Sequence, residues 1–243
     1  MKRTMKSAPS LTTNNPFEAF FPPTVIAFVT DRSADFAWPP DRYEMTPYQQ
    51  DFLRRIWDID VSPGGGIHQV HEDTVVIADP KSRQVVEADA IITNVKNFSI
   101  TVRTADCLSV FVYDPADGAI GLAHAGWKGT HKQIVIKMLA AMKEHYGTPV
   151  DQARVAFGPC IRAHAYEVGL EFKARFPDDV KEINGKYYFD LAAANRRQLL
   201  ASGVRSENIY DCGICTFSHP QYFSYRRQGQ AAGRMLSVMR ISQ

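Results

Sequence analysis

Apolar positions along the chain follow two periods. At a spacing of three to four, Ile134, Met138, Leu139 and Met142 place one apolar stripe on a helix. Thr130 suits its N-cap and Gly147 its stop. A second helix is predicted from Asp190, as N-cap, to Ser202, with Gly203 at its end, and a shorter one near Tyr166–Phe176. Thr46-Pro47 reads as N-cap and N1 of a helix over Thr46–Ile59. β-Branched runs at Val85–Thr93 and Phe98–Thr104 predict strands, as do the shorter Arg154–Phe157 and Asn208–Tyr210. Leu108–Tyr113 and Ala119–His124 flank DPADG, whose Asp114-Pro115 and Asp117-Gly118 pairs are strong turn formers, so these two segments form a hairpin. Helices and strands interleave, which implies a mixed α/β (α+β) chain.

No linker or repeat divides the 243 residues, a length suited to one large domain. The expected division is a flexible N-terminus over 1–20 and a single domain over 21–243. The basic start is followed by Asn14, Asn15, Pro16, Glu18, Pro22 and Pro23, which interrupt any apolar run, so it reads as a frayed end rather than a signal peptide. No stretch of 18 apolar residues occurs, and no membrane span is expected. With 28 Lys plus Arg against 26 Asp plus Glu, the net charge of +2 gives no broad field for nucleic acid. Four cysteines in a chain of this size are not a disulfide framework and read as reduced thiols of a cytoplasmic protein.

Candidate chemistry begins at the hairpin. Centring its turn near Ala116 places Cys107 opposite His124, where directly opposed Cα atoms lie about 4.5–5.5 Å apart. A thiolate and an imidazole there can share one zinc; the alternative is a buried small thiol beside a strand-end histidine. A third ligand is available in GIHQVHEDTV, where His68 and His71, three apart on an extended stretch, face opposite sides. Position alone does not choose between them. Cys212 and Cys215 form a lone CxxC with His219 nearby, which reads as two partly buried thiols, as does Cys160. After Cys215 the chain has no acid but carries Arg226, Arg227, Arg234 and Arg240 among aromatic residues. Either this is a basic solvated face, or Arg226 or Arg227 clamps a phosphate beside an aromatic wall.

The motifs QVH (69–71), ADA (88–90), TADCLSV (104–110), AHAGWKGT (123–130), GPCI (158–161), YEVG (166–169) and CT…YFSYRR (215–227) followed by GR (233–234) resemble, in order, the bacterial YfiH/YlmD-type laccase-domain family. The resemblance covers roughly residues 60–240. It implies a four-layer α-β-β-α sandwich and a zinc site of His71, Cys107 and His124, the catalytic centre, with donor atoms expected within about 4 Å of one another. It also implies purine nucleoside phosphorylase activity with inorganic phosphate as co-substrate, adenosine deamination and cleavage of 5′-methylthioadenosine. Purine nucleosides and phosphate are the expected partners, with candidate substrate or phosphate contacts at Arg226, Arg227, Lys128, His68 and Arg32. The expected assembly is a monomer or weak homodimer.

The chain departs from the family pattern at FVTDRSADFAWPPDRYEM (28–45), where many relatives carry R-x-GG-x-S and an LNLG-like segment. Lys128 stands where the family has arginine, which keeps the charge and loses the bidentate fork. Three other readings compete. A multicopper laccase uses about ten histidines, and the chain has seven; copper binds a His2Cys site readily in vitro, so phenol oxidation can follow from loading. Cys107 with His124 as base is a possible nucleophile for a cell-wall amide. A non-enzymatic zinc protein needs a fourth ligand, such as His68 or Cys160.

Overall fold

In this computed structural model, which describes residues 15–39 and 43–242, the DPADG turn joins two long strands at the centre of the molecule. The strands are numbered in chain order. The first third of the chain forms β1 (Val25–Val29), α1 (Pro47–Trp57), β2 (Ile67–His68), β3 (Val75–Ile77), β4 (Val86–Glu87) and β5 (Ala90–Thr93). The centre forms β6 (Ser99–Thr104), β7 (Leu108–Tyr113), β8 (Ile120–Ala125), α2 (Trp127–His131), α3 (Ile134–Tyr146) and β9 (Arg154–Phe157). The rest forms β10 (Glu167–Val168), α4 (Glu171–Arg175), β11 (Val180–Ile183), β12 (Lys186–Phe189), α5 (Leu191–Ala201), β13 (Ile209–Asp211), α6 (Tyr225–Gln228) and β14 (Met235–Ile241).

A six-stranded sheet in the order β13-β9-β7-β8-β5-β3 is the main wall, and a three-stranded sheet β1-β14-β6 faces it. Alternation along the strands separates two cores. On β7 and β8, Leu108, Val110, Val112 and Ala123 turn toward Met138 and Met142 of α3 and Leu199 of α5. Their neighbours Phe111, Ile120 and Leu122 turn the other way and meet Ile100, Val102 and Met239 of the second sheet. Phe28, Leu236 and Val238, on the far face of that second sheet, pack on Leu53 of α1. Because β7 and β8 are buried on both faces, their sequences read as continuous apolar runs. A small β10-β12-β11 sheet and a β2-β4 pair complete the mixed α/β fold.

Several elements differ from expectation. The hairpin register pairs Ser109 with His124 and Leu108 with Ala125, so Cys107 lies two residues diagonal to His124 rather than opposite it. Thr130 caps no helix: it is buried, and its hydroxyl accepts from Asn195 of α5 at 2.9 Å. The helix begins instead at Gln133, which takes a left-handed conformation with φ 62°. The stretch Tyr166–Phe176 is a short strand and a five-residue helix. The run Val85–Thr93 breaks into β4 and β5 around Ala88 and Asp89. Of the expected frayed segment 1–20, residues 1–14 lie outside the described residues. Phe17 is buried with its ring 4.7 Å from that of Phe111, so the core reaches back at least that far.

Candidate metal centre and its cavity

One end of the central strands carries a cluster on the face turned toward the second sheet. Continuing the β5–β8 register, in which Ala90 pairs with Ala123, sets Asp89 beside His124. Continuing β7 one residue back sets Cys107 on the same face as Ser109, diagonal to His124 and still within side-chain reach. Gly126 lies across from Cys107, and a Cβ there would stand 2.9 Å from its sulfur. His71 arrives from the loop after β2. Its backbone is left-handed, with φ 61°. That conformation is held by one buried carboxylate: Asp89 accepts the successive N–H groups of Val70, His71 and Glu72 at 3.2, 3.1 and 2.7 Å. Three N–H groups closing on an anion form a backbone nest.

The donor atoms of His71, Cys107 and His124 all lie within 4.8 Å of one another. This is the only such three-residue group among the described residues. Tetrahedral ligation calls for donor separations of roughly 3.5 Å, so side-chain adjustments of about an ångström close the set on an ion. The chemistry of the donors fits a metal. Asp89 Oδ1 lies 2.8 Å from His124 Nδ1, which leaves Nε2 as the ligating lone pair and fixes the ring. Burial pushes the Cys107 thiol up, but the charge and hydrogen bonds of His124 and His71 outweigh it and bring it down to about 6, so it is ready as a thiolate. Burial also pushes His124 down, and the Cys107 thiolate with Asp89 raises it to about 9. Desolvation raises the Asp89 carboxyl, and its hydrogen bonds to His124 and the nest overcome that and keep it below the usual carboxylate range.

Beside the donors opens a cavity of about 780 Å³, lined by His71, Cys107 and His124 at one side and by Trp38, Gln69, Arg103, Tyr166, Tyr225, Arg226 and Arg234 around the rest. This volume is in the range of small-molecule sites. Asp106 shapes the wall next to Cys107. Left-handed itself, with φ 87°, it accepts from Thr216, Ser224 and the backbone N–H of Arg226 at 2.6, 3.0 and 2.6 Å. It thereby holds the start of α6 against the loop that carries the thiol.

The sequence candidates separate clearly. Arg226 and Arg227 sit on α6, not on an extended stretch. Arg226 lines the cavity, with its guanidinium over the Tyr166 ring. Arg227 turns away and donates to the carbonyls of Thr216, Phe217 and Tyr222 at 2.7, 2.7 and 2.5 Å. His68 reaches the cavity rim, stacked on Tyr43 with ring centroids 3.8 Å apart, and does not join the donor cluster. Lys128 is exposed on α2, with its ammonium 5.8 Å from the Trp127 ring. Arg32 donates to the carbonyl of Pro220. Neither is among the cavity-lining residues. Cys160 and Cys215 are bridge partners on adjacent chain segments, both buried and free, and burial pushes the Cys160 thiol far up.

Sequence reasoning did not reach Asp89, Asp106, Arg103, Arg234, Trp38 or Tyr166 as site residues. Asp89 stands on the same strand face as Ile91, but Glu87 is polar in the same Val85–Thr93 run, so the pattern does not single Asp89 out. Trp38 and the loop around it come from the divergent stretch 28–45. Gln49 anchors that loop by donating to the carbonyls of Asp35 and Ala37 at 2.8 and 3.2 Å.

Comparison with known proteins places the chain by family and by fold. A family model described as multi-copper polyphenol oxidoreductase laccase matches residues 48–242. A purine nucleoside phosphorylase of Bacteroides thetaiotaomicron is 38% identical over 181 residues, 70% of this chain and 67% of that protein. An adenosine deaminase from an unknown prokaryotic organism is 35% identical over 185 residues, 68% of this chain and 70% of that protein. The crystal structure of the Bacillus licheniformis hypothetical protein YfiH superposes with a TM-score of 0.79 at 24% identity, covering 90% of this chain and 93% of that one, which shows a shared fold.

Proposed function

The chain belongs to the family described as multi-copper polyphenol oxidoreductase laccase, and from that membership and the site's geometry we propose that it is a metal-dependent purine nucleoside phosphorylase that also deaminates adenosine and cleaves 5′-methylthioadenosine. One observation carries the reading: three convergent donors, His71, Cys107 and His124, border an open cavity of about 780 Å³, large enough for a nucleoside and a phosphate together. The names of the relatives, purine nucleoside phosphorylase and adenosine deaminase, support the same substrate class. Three protein donors leave a position open to a small molecule, the arrangement of catalytic rather than structural zinc.

When bound, zinc supplies Lewis acidity at the cavity wall, enough to bring a water's pKa to about 7. The chain's own groups do the rest. Asp89 keeps the proton on His124 Nδ1 and holds the ring against rotation. Asp106 fixes the start of α6, so that Arg226 projects into the cavity beside Tyr166. Arginine side chains in this wall place positive charge where phosphate and a departing purine carry negative charge. Trp38, Tyr166 and Tyr225 offer flat apolar surface for the base. With Cys107 drawn between two imidazoles, its thiolate serves as a ligand, and a ligating thiolate is not a free amide nucleophile.

The test is an incubation of metal-quantified protein with adenosine, with and without phosphate, separating adenine, hypoxanthine, inosine and ribose 1-phosphate. Phosphate-dependent release of base is the expected result, with inosine formed in either condition. Turnover of phenols after copper loading, with no purine product under any condition, would overturn the reading.

A further inference from the structure

Phosphorolysis needs a seat for an oxyanion, and one arginine of the cavity wall differs from the rest. Arg103 on β6 is 5% exposed. Its Nε donates to the carbonyl of Phe36 at 2.8 Å, and its Cζ stands 3.2 Å from the centroid of the Trp38 ring. Its two terminal nitrogens, Nη1 and Nη2, are buried and have no hydrogen-bond partner among the described residues. The group stays charged: burial pulls it down to about 9, still above neutral pH. A guanidinium removed from water with four unmade N–H bonds and no counter-ion among the described residues is a costly feature in a fold. Of the other arginines considered for phosphate, Arg226 and Arg32 are exposed, and Arg227 is bound to three carbonyls.

Position adds a second observation. Arg103 lies in the partition between the cavity of about 780 Å³ and a neighbouring one of about 110 Å³, with Trp38 lining both as well. Phe36 links it to Arg234: the Phe36 N–H donates to the Arg234 carbonyl while the Phe36 carbonyl accepts from Arg103. Arg103 is held on its other flank by Gln69, which bonds both the N–H and the carbonyl of its backbone. The guanidinium is therefore fixed at its Nε edge and idle at its Nη edge, the edge whose fork matches two oxygens of a phosphate.

We propose that Arg103 anchors an anion subsite of the cavity, receiving the tetrahedral oxyanion of a phosphate group on Nη1 and Nη2, with Trp38 as its stacking cover. The assignment rests on the phosphorylase reading for its biological use. The oxyanion has two sources: free inorganic phosphate, or the phosphoryl group of a nucleoside monophosphate. The subsite sits on the loop that departs from the family pattern, because Phe36 and Trp38 both belong to it.

Calorimetric titration and thermal melting of the metal-loaded protein with inorganic phosphate, and separately with adenosine 5′-monophosphate, test this against chloride at matched ionic strength. Wild type is expected to bind and be stabilised by at least one of the two. Stabilisation by phosphate assigns the free anion, and stabilisation by the monophosphate alone assigns the phosphoryl group. Arg103→Met should weaken the dissociation constant about tenfold or more, with metal content equal to wild type. Arg103→Lys, which keeps charge and loses the fork, should fall between them. Failure of wild type to bind either anion, or Arg103→Met binding within twofold of wild type, overturns the subsite. Should the variants not fold, a crystal of wild type soaked in phosphate decides: an anion on the Nη atoms supports it, and an anion elsewhere in the cavity removes it. The two readings fail separately. Phosphorolysis that persists in Arg103→Met at an unaltered phosphate KM, with monophosphate binding unaltered as well, removes the subsite alone. Phosphate binding through Arg103 without purine turnover removes the phosphorylase alone.

Discussion

At the scale of single residues, the site depends on who holds the ligands. Asp89 is fully buried and accepts from His124 and from three backbone N–H groups. Asp89→Asn keeps the shape, but its amide offers N–H where the nest and the ring need an acceptor. Metal affinity should fall about 10–100-fold, measured by chelator competition, because a partner of this kind orients the ligand. An unchanged affinity would mean that His124 needs no help in choosing its tautomer. His71→Ala should remove most bound metal, whereas His68→Ala should leave stoichiometry intact, since His68 stacks on Tyr43 outside the donor cluster. Metal retained in His71→Ala and lost in His68→Ala would reverse the assignment. The Cys107–His124 pair was legible from the turn alone, although the register ran one to two residues off. It survived because a thiol and an imidazole on the same strand face reach each other diagonally as well as directly. Asp89 was not legible, because its role depends on a loop 17 to 19 residues away in sequence.

At the scale of elements, helices with strong local signals appear where expected. Thr46 accepts from the Gln49 N–H and the Gln49 side chain returns to the Thr46 N–H, a complete capping box. Asp190 caps α5 through the Ala193 N–H at 2.9 Å. Asp190→Ala should therefore cost about 0.5–2 kcal/mol in denaturant unfolding. No loss would show that the Leu191–Ala201 helix is held by packing alone. Leu139, 2% exposed on the buried stripe of α3, should cost about 2–5 kcal/mol on change to Ala, with turnover per folded molecule nearly unaltered. A loss of turnover at unchanged stability would place that stripe in the active site. The signal misled where tertiary structure outbid local preference. Thr130 looks like an N-cap, but its hydroxyl is taken by Asn195 and its carbonyl by Gln198, so the helix restarts beyond it. Strands β1 and β14 were not anticipated: their apolar runs gain their meaning only from pairing with each other and with β6. The β11–β12 hairpin was missed as well, although Asn184-Gly185 between them is a standard turn pair, with both residues at positive φ.

At the scale of the whole molecule, the three candidate metal donors come from separate pieces of chain: the loop after β2, the bend between β6 and β7, and β8. The bend joins the two facing sheets directly, and the loop is tied to the main sheet by Asp89. An ion bound to all three would fasten these pieces in the folded state and find no such arrangement in the unfolded one. Binding is then linked to stability by mass action, about 4.1 kcal/mol at a free metal concentration a thousand times the dissociation constant. For a chain of 243 residues each kcal/mol moves the melting temperature by roughly 2–4 °C, so metal loading should raise it by roughly 8–16 °C. Calorimetric melting of metal-loaded and chelator-stripped protein, with metal content measured in both, reads this directly. His71→Ala removes one donor from the loop and should melt like the stripped wild type whether or not metal is supplied. Equal melting temperatures for loaded and stripped wild type would mean that the three segments are already fixed by protein contacts such as the Asp89 nest. The metal would then contribute its chemistry without contributing to the fold.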